Sequence, residues 1–358
     1  MHRRTFILAA PLTAPLAAAA APVTIDVALL TQADGPHLSA YLEGLALAPE
    51  VGKVFVADSA VEPAARKALG AKFAAAYPSA KALLGAHKPP LALIPMEATL
   101  APAVIHAALD AGCHVMAEKP ACVRAEDFAP LAAKANTKKL HLNLAFANRI
   151  DPTFKEARRI IQSGSLGKLY GMEMHLIADQ TRLTRPAYHK TWTAQKARAG
   201  GGHLIWLGIH WLDMASYITG SKITQIAGFT GNVGGQPIDT EDSAAVTFRF
   251  ANNTFGTLTS GYYIDKSKQG FFKFWGAKGW LEINQEHPAG PLAWQIFGQP
   301  EQRWKPTEPS GYTPWVRHVV RMAMGLEAPV LTADESLHAL KSVFAAYRAA
   351  ETGRTQTI

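Results

Sequence analysis

The chain has 358 residues, 48% of them hydrophobic and only 18% charged, with a formal net charge of +8. That length favours two domains, and the apolar content excludes intrinsic disorder, collagen and a small disulfide-held fold. No Lys/Arg run reaches the density of a nucleic-acid arm, so nucleic acid is excluded as a partner and the surplus reads as solubility or a mild attraction for anionic ligands.

Residues 1–21 open with Arg3 and Arg4, continue through Phe6-Ile7-Leu8, and are Ala-rich but broken by Pro11 and Pro15. This layout predicts a twin-arginine signal peptide cut just before Ala20 or Ala21, and hence a periplasmic or secreted protein. Its removal takes two arginines and no acids, which lowers the charge from +8 to +6. The segment is too short to span a bilayer, and no later run reaches roughly 18 apolar residues. No membrane span is expected.

From 23 to 147 the pattern alternates strand and helix. Strands are expected at 23–30, 53–58, 91–95, 114–117 and 140–146, with helices near 38–45, 62–69 and 100–110. Crossover helices between apolar strands imply a Rossmann-like, doubly wound parallel sheet. Cys113 and Cys122, the two cysteines, flank an extended connection that holds them too far apart for a bridge, so both are expected as buried free thiols. There is no CxxC metal spacing.

Asp151-Pro152 starts a helix to about residue 163 in cap-then-proline style. Strands then dominate, at 171–178, 223–228, 244–250, 254–260, 271–275 and 280–283, with Asn252-Asn253 as a hairpin turn. One helix, 201–218, interrupts them. Thr332 to Glu335 forms a capping box for a closing helix before Gly353. The fold class is therefore α/β, with a C-terminal α+β domain built on an open, mostly antiparallel sheet. The boundaries are 22–147, 148–330 for the substrate and oligomerisation domain, and 331–358 for the closing helix and tail.

Gly112-Cys113-His114-Val115-Met116-Ala117-Glu118-Lys119-Pro120 resembles a signature of the Gfo/Idh/MocA family, named for glucose–fructose oxidoreductase, inositol dehydrogenase and a rhizopine-catabolism protein. Phe146-x-x-Arg149-x-x-Pro152, Ser163-Gly164-x-Leu166-Gly167 and Trp192 before Gly200-Gly201-Gly202 follow in the family's order. So do Leu207-Gly208-Ile209-His210-x-x-Asp213 and Glu241-Asp242. The resemblance covers the mature chain. It implies sugar or polyol chemistry with NAD or NADP in an interdomain cleft, and a homo-oligomer formed through the exposed face of the C-terminal sheet.

The cofactor loop departs from the family pattern. A phosphate cradle wants G-x-G-x-x-G, whose backbone N–H groups face the pyrophosphate. Here the loop reads Leu30-Thr31-Gln32-Ala33-Asp34-Gly35-Pro36-His37, in which Pro36 lacks an N–H and Asp34 is placed to cap the following helix and repel a diphosphate. The next cofactor-facing turn, Ile94-Pro95-Met96-Glu97, has no histidine after it. The resemblance places Thr31, Asp58, Met96, Glu118 and Lys119 at the cofactor, with Asp58 toward the adenosine ribose.

The same resemblance gives Lys119 and His210 the catalytic roles. Lys119 would polarise a carbinol or carbonyl oxygen, and His210 would take the hydroxyl proton as hydride leaves. Trp206 stands where the family commonly has an acid, and on an α-helix it would share a face with His210 and Asp213. Arg149, Trp206 and Asp213 are the candidate substrate contacts. His203, His210 and Asp213 lack metal-ligand spacing, so no metal is expected. Two functions stay open. One is an exported carbohydrate oxidoreductase, with redox-assisted glycoside cleavage as a variant. The other is a cofactor-free carbohydrate-binding protein or non-redox lyase on the same fold.

Overall fold

The computed structural model describes residues 23–358. The expected signal peptide lies outside the described residues.

The N-terminal sheet comprises β1 (Ile25–Leu30), β2 (Val51–Ala57), β3 (Phe73–Tyr77), β4 (Leu91–Ile94), β5 (His114–Ala117) and β6 (Leu142–Leu144). Its order is β3-β2-β1-β4-β5-β6 and every pairing is parallel. β1 and β4 run apolar and buried because helices cover both faces. Strand order reverses between them, which opens a crevice at their C-terminal ends. β3 and the helices Ala80–Ala86 and Ala125–Lys138 were not expected from the sequence. β3 reads FAAAY, without a β-branched residue, and Pro130 lies inside the longer helix.

The second sheet comprises β7 (Leu169–Asp179), β8 (Ile223–Gly231), β9 (Ser243–Phe250), β10 (Phe255–Ile264), β11 (Gln269–Gly276), β12 (Gly279–Asn284), β13 (Leu292–Ile296), β14 (Gln302–Trp304) and β15 (Gln356–Thr357). The order is β14-β13-β12-β11-β7-β10-β9-β8-β15, and only the β7–β10 pair is parallel. The β9–β10 turn falls at Asn252-Asn253, where Asn253 adopts φ 64°. Inward residues of β9 and β10 pack on the helices, while Tyr170, Phe229, Phe255 and Trp275 are exposed on this sheet. Asp151 caps the helix Pro152–Gln162, and the Thr332/Glu335 box starts the helix Ala333–Thr352. Cys113 and Cys122 are free and buried.

Two features differ from expectation. The helix Tyr312–Ala323, absent from the sequence-based elements, packs on Leu38–Leu47 of the first domain. There Val316 presses so closely on Gly44 that an added Cβ would lie 2.7 Å from it. The helix expected at 201–218 begins later, with a π-helical turn Leu204–Gly208 that runs into the α-helix Ile209–Thr219. Glu241 sets this start: its carboxylate accepts from the N–H of Gly202 (2.5 Å) and Leu204 (2.9 Å). A Cβ on Gly202 would sit 1.9 Å from the Glu241 carbonyl oxygen, so only glycine admits this approach. No helix of the described residues is long and apolar enough to cross a membrane.

Candidate active site

The cleft begins where β1 ends. Thr31 is buried and its hydroxyl donates to the Pro95 carbonyl (3.0 Å). Gln32 Oε1 accepts from the N–H of Glu97 (3.0 Å), and its amide donates to Asp34 (2.5 Å). The two cofactor-facing loops are thus laced to each other. Gly35 owes its place to this lacing, because a Cβ there would meet Thr31 Oγ1 at 2.4 Å and Pro95 O at 2.5 Å. The Gly35 N–H is turned inward to Gln32 O (2.9 Å). Asp34 does not cap the helix Leu38–Leu47 as expected; it is held by Gln32, and that helix start has no side-chain cap.

Glu97 stands in the second loop, one residue after the partly buried Met96. Its buried carboxylate accepts two bonds from Arg198, one of them 2.8 Å from Nε, and one from Thr99 Oγ1 (2.6 Å). Arg198 comes from the second domain, so this ion pair ties both sides of the cleft. Asp58 ends β2 at φ 82°, where its Oδ1 accepts from the Ala60 N–H (2.9 Å).

Lys119 and Glu118 follow β5 and are fully buried. The Glu118 carboxylate accepts from Tyr41, from Tyr312 (3.3 Å) and from the Lys119 N–H (3.2 Å), and His37 Nδ1 lies 3.2 Å from it. Three donors therefore already engage it, two of them phenol hydroxyls. The Lys119 ammonium donates to the Trp206 carbonyl and lies 3.7 Å from the centre of the Trp206 indole. That carbonyl sits within the π turn, where the α-helical bond pattern is broken. Burial pulls the Lys119 pKa down to about 8, against the raising influence of Glu118. His37 stacks on Trp206 at 6.0 Å and Trp192 meets it edge-on at 5.6 Å. Three neighbours therefore contact the indole expected to hold substrate.

His210 lies one turn further along and is half-buried, with its edge against Phe146. It makes no hydrogen bond among the described residues, and its Nδ1 is sealed and unpartnered. Burial holds its pKa well below the ordinary histidine value, helped by the charges of Lys119 and Lys268 and by His37. A neutral imidazole results. His203 is fully buried, bonded through Nδ1 to Ser260 Oγ (2.7 Å), with Nε2 unpartnered. Its pKa falls to about 3 through burial, Arg182 and Lys119.

Arg149 and Asp213 are bonded to each other. The Arg149 guanidinium grips Asp213 at 2.7 and 3.0 Å, and donates to Glu335 (2.8 Å) and the Val330 carbonyl (3.0 Å). Both are buried, and this network joins helices Ile209–Thr219 and Ala333–Thr352 behind the cleft. Trp206 lies inside the π turn, and His210 and Asp213 lie in the α-helix that continues from it.

Sequence reasoning missed Glu97, Arg198, His37, Tyr312 and Glu241 as members of this site. Each acts through a partner distant in sequence, and Arg198 reaches Glu97 across 101 positions.

The dinucleotide fit is uneven. Asp58 stands at the C-terminal end of β2, one carboxylate oxygen accepting from the Ala60 N–H. The phosphate segment offers the carboxylates of Asp34 and Glu97, a proline and an inward N–H where free donors are needed. Beside Lys119 lies the Trp206 indole, on which His37 stacks.

Residues 32–146 match the family model of an oxidoreductase family with an NAD-binding Rossmann fold, and residues 154–282 match that of a GFO/IDH/MocA C-terminal domain. Together the two matches take in more than half of the chain. An uncharacterized oxidoreductase, YrbE, of Bacillus subtilis is 25% identical over 201 residues, which are 52% of this chain and 54% of the relative. Levoglucosan dehydrogenase of Pseudarthrobacter phenanthrenivorans is 26% identical over 202 residues, 50% of this chain and 51% of that one. The chain thus spans about half the length of the curated relatives it matches. An oxidoreductase domain protein from Kribbella flavida shares the fold with a TM-score of 0.84 at 19% identity, over 94% of this chain and 99% of that one.

Proposed function

The chain belongs to the Gfo/Idh/MocA family of oxidoreductases, and from that premise we propose that it oxidises or reduces a carbohydrate at a carbinol carbon with a nicotinamide dinucleotide. The observation that carries this reading is the neutral, unpartnered His210 beside the buried cation Lys119. A nicotinamide, when bound, supplies hydride acceptance and donation. His210 takes the hydroxyl proton at Nε2, the ring nitrogen that is not sealed. Lys119, charged below pH about 8, stabilises the oxygen as negative charge develops on it. Glu118 holds Lys119 in place through charge and through its backbone N–H. Glu241 and Tyr347 fix the start of the His210 helix. Arg149 and Asp213 serve as a strut behind that helix.

Asp58, Thr31 and Met96 line the nucleotide side in this reading. Seating the phosphates requires the Gln32–Glu97–Arg198 lacing to part, so added NAD or NADP binds weakly, or the cofactor is loaded as the chain folds. That interlock favours a second reading, a cofactor-free carbohydrate-binding protein or non-redox lyase. One experiment separates them: denaturing the purified mature protein, identifying the small molecules released, and assaying nicotinamide reduction over a sugar and polyol panel. Released or reducible nicotinamide dinucleotide supports the first reading. Its absence from both assays leaves the second.

Export is part of the proposal. Arg3→Lys with Arg4→Lys should keep the protein in the cytoplasm, and unimpaired delivery of that variant would refute the twin-arginine route. The exposed Tyr170, Phe255 and Trp275 of the second sheet support self-association through that face.

A further inference from the structure

Beyond the ends of β7 and β10 lies a cavity of about 600 Å³. These strands are parallel neighbours, with Ala178 opposite Tyr262 and Asp179 opposite Ile264, so the segments that follow both emerge at one edge. Arg182 and Arg185 come after β7 and Lys268 comes after β10, and all three line the cavity. None of the three enters an ion pair within 4.0 Å among the described residues.

The nearby acids are occupied. Asp179, the one carboxylate in the lining, accepts from the Thr181 N–H (2.9 Å), the Thr181 hydroxyl (2.8 Å) and the Lys266 N–H (2.8 Å). Asp265 accepts from Gln180 (2.8 Å), and Glu286 accepts from the Gly270 N–H (3.0 Å) while facing Lys268 at longer range. Arg182 instead lies 4.9 Å from the Tyr188 ring and 5.4 Å from Tyr262, and Lys268 lies 5.3 Å from Trp211. The positive potential reaches the reacting groups: Arg182 acts on Lys119 and His203, and Lys268 acts on His210. Leu207 lines the cavity one helical turn before His210, and Tyr262 packs at 4.4 Å on His203, whose Nε2 has no partner. Unpaired cations beside aromatic rings, next to a neutral base, are the chemistry of a site that receives an anion.

We propose that this cavity binds a carbohydrate carrying a carboxylate or phosphate group, with Arg182, Arg185 and Lys268 holding the anion and Tyr188 and Tyr262 against the sugar ring. This rests on the reading of Lys119 and His210 as the reacting end. It adds the substrate class.

The test is calorimetry on the mature chain with D-glucuronate, D-glucose 6-phosphate and D-glucose, each with and without NAD. At least one anionic sugar should bind about 10- to 100-fold tighter than glucose. That advantage should shrink with salt and fall below about threefold in Arg182→Gln and in Lys268→Gln, with Arg182→Lys intermediate. Preference for glucuronate identifies the carboxylate, and preference for the 6-phosphate identifies the phosphate. Glucose binding as tightly as both anions, no binding of either anion, or an advantage that survives both Gln variants would overturn the proposal. Anion-selective binding without any nicotinamide reduction would keep this inference and refute the redox reading. Reduction of NAD by neutral sugars alone would do the reverse.

Discussion

The two walls of the cleft treat their polar groups in opposite ways. On the N-terminal wall Thr31, Gln32 and Glu97 are each bonded to another part of the chain, and Arg198 crosses over to complete the set. On the C-terminal wall, among the described residues, His203 Nε2 and His210 Nδ1 lack partners, and Arg182, Arg185 and Lys268 form no ion pair within 4.0 Å. A satisfied group holds structure together, whereas an unpaired cation, or an open ring nitrogen such as His210 Nε2, is available to a ligand. The C-terminal wall is therefore where this molecule waits for something. In the function proposed above, the N-terminal wall opens before a dinucleotide is seated.

The largest effect expected from breaking this contrast is at Lys119. Lys119→Ala should lower kcat/KM by about 10²- to 10⁴-fold while circular dichroism stays unchanged, since general acid–base and charge-stabilising groups contribute on that order. Turnover within a few-fold of the parent would remove Lys119 from the chemistry.

On the opposite wall a gain is expected. Glu97→Gln combined with Arg198→Gln removes a carboxylate and its clasp from the phosphate segment, and should tighten added NAD by about tenfold. Weaker or unchanged NAD binding in calorimetry would show that the lacing does not oppose the cofactor.

His203 sharpens the comparison through pH. An unfolded chain protonates this histidine near 6.5, whereas the folded one resists until about 3. Between those values the unfolded state binds more protons, so stability is full above pH 6.5 and falls as pH drops toward 3. The slope from this residue is about 1.4 kcal/mol per pH unit. Urea midpoints should show the slope in the parent and a shallower one in His203→Gln. Equal slopes would place the acid sensitivity elsewhere.

The smallest effect is at the helix start. Tyr347 donates to Glu241 (2.7 Å) and accepts from the Ile205 N–H (3.1 Å), so Tyr347→Phe should cost about 1–2 kcal/mol in urea unfolding. No measurable loss would mean that Glu241 holds the π turn without it.

The parallel sheet and the hairpin at Asn252-Asn253 were legible because apolar runs and turn residues are local signals. β3 escaped because alanine carries little strand preference, and Ala125–Lys138 because Pro130 breaks its pattern. The helix Tyr312–Ala323 did carry a pattern, Trp315, Val316, Val319 and Val320, but it packs on Leu38–Leu47, far away in sequence. In the site, Lys119 and His210 were legible through motifs. The Glu97–Arg198 clasp and the cations beyond β7 and β10 were not, since topology alone brings Arg182 and Lys268 together. The π turn that holds Trp206 was not legible, because an unbroken α-helix fits the same run of residues.

In the proposed mechanism His210 and Lys119 act together at one hydroxyl, His210 on its proton and Lys119 on its oxygen. It is tested most directly by kcat/KM for His210→Ala, Lys119→Ala and the double variant on a substrate from the carbohydrate panel. Two groups acting as a unit on the same hydroxyl should make the double variant lose little more than either single one. Losses that multiply, or full activity in His210→Ala, would contradict it.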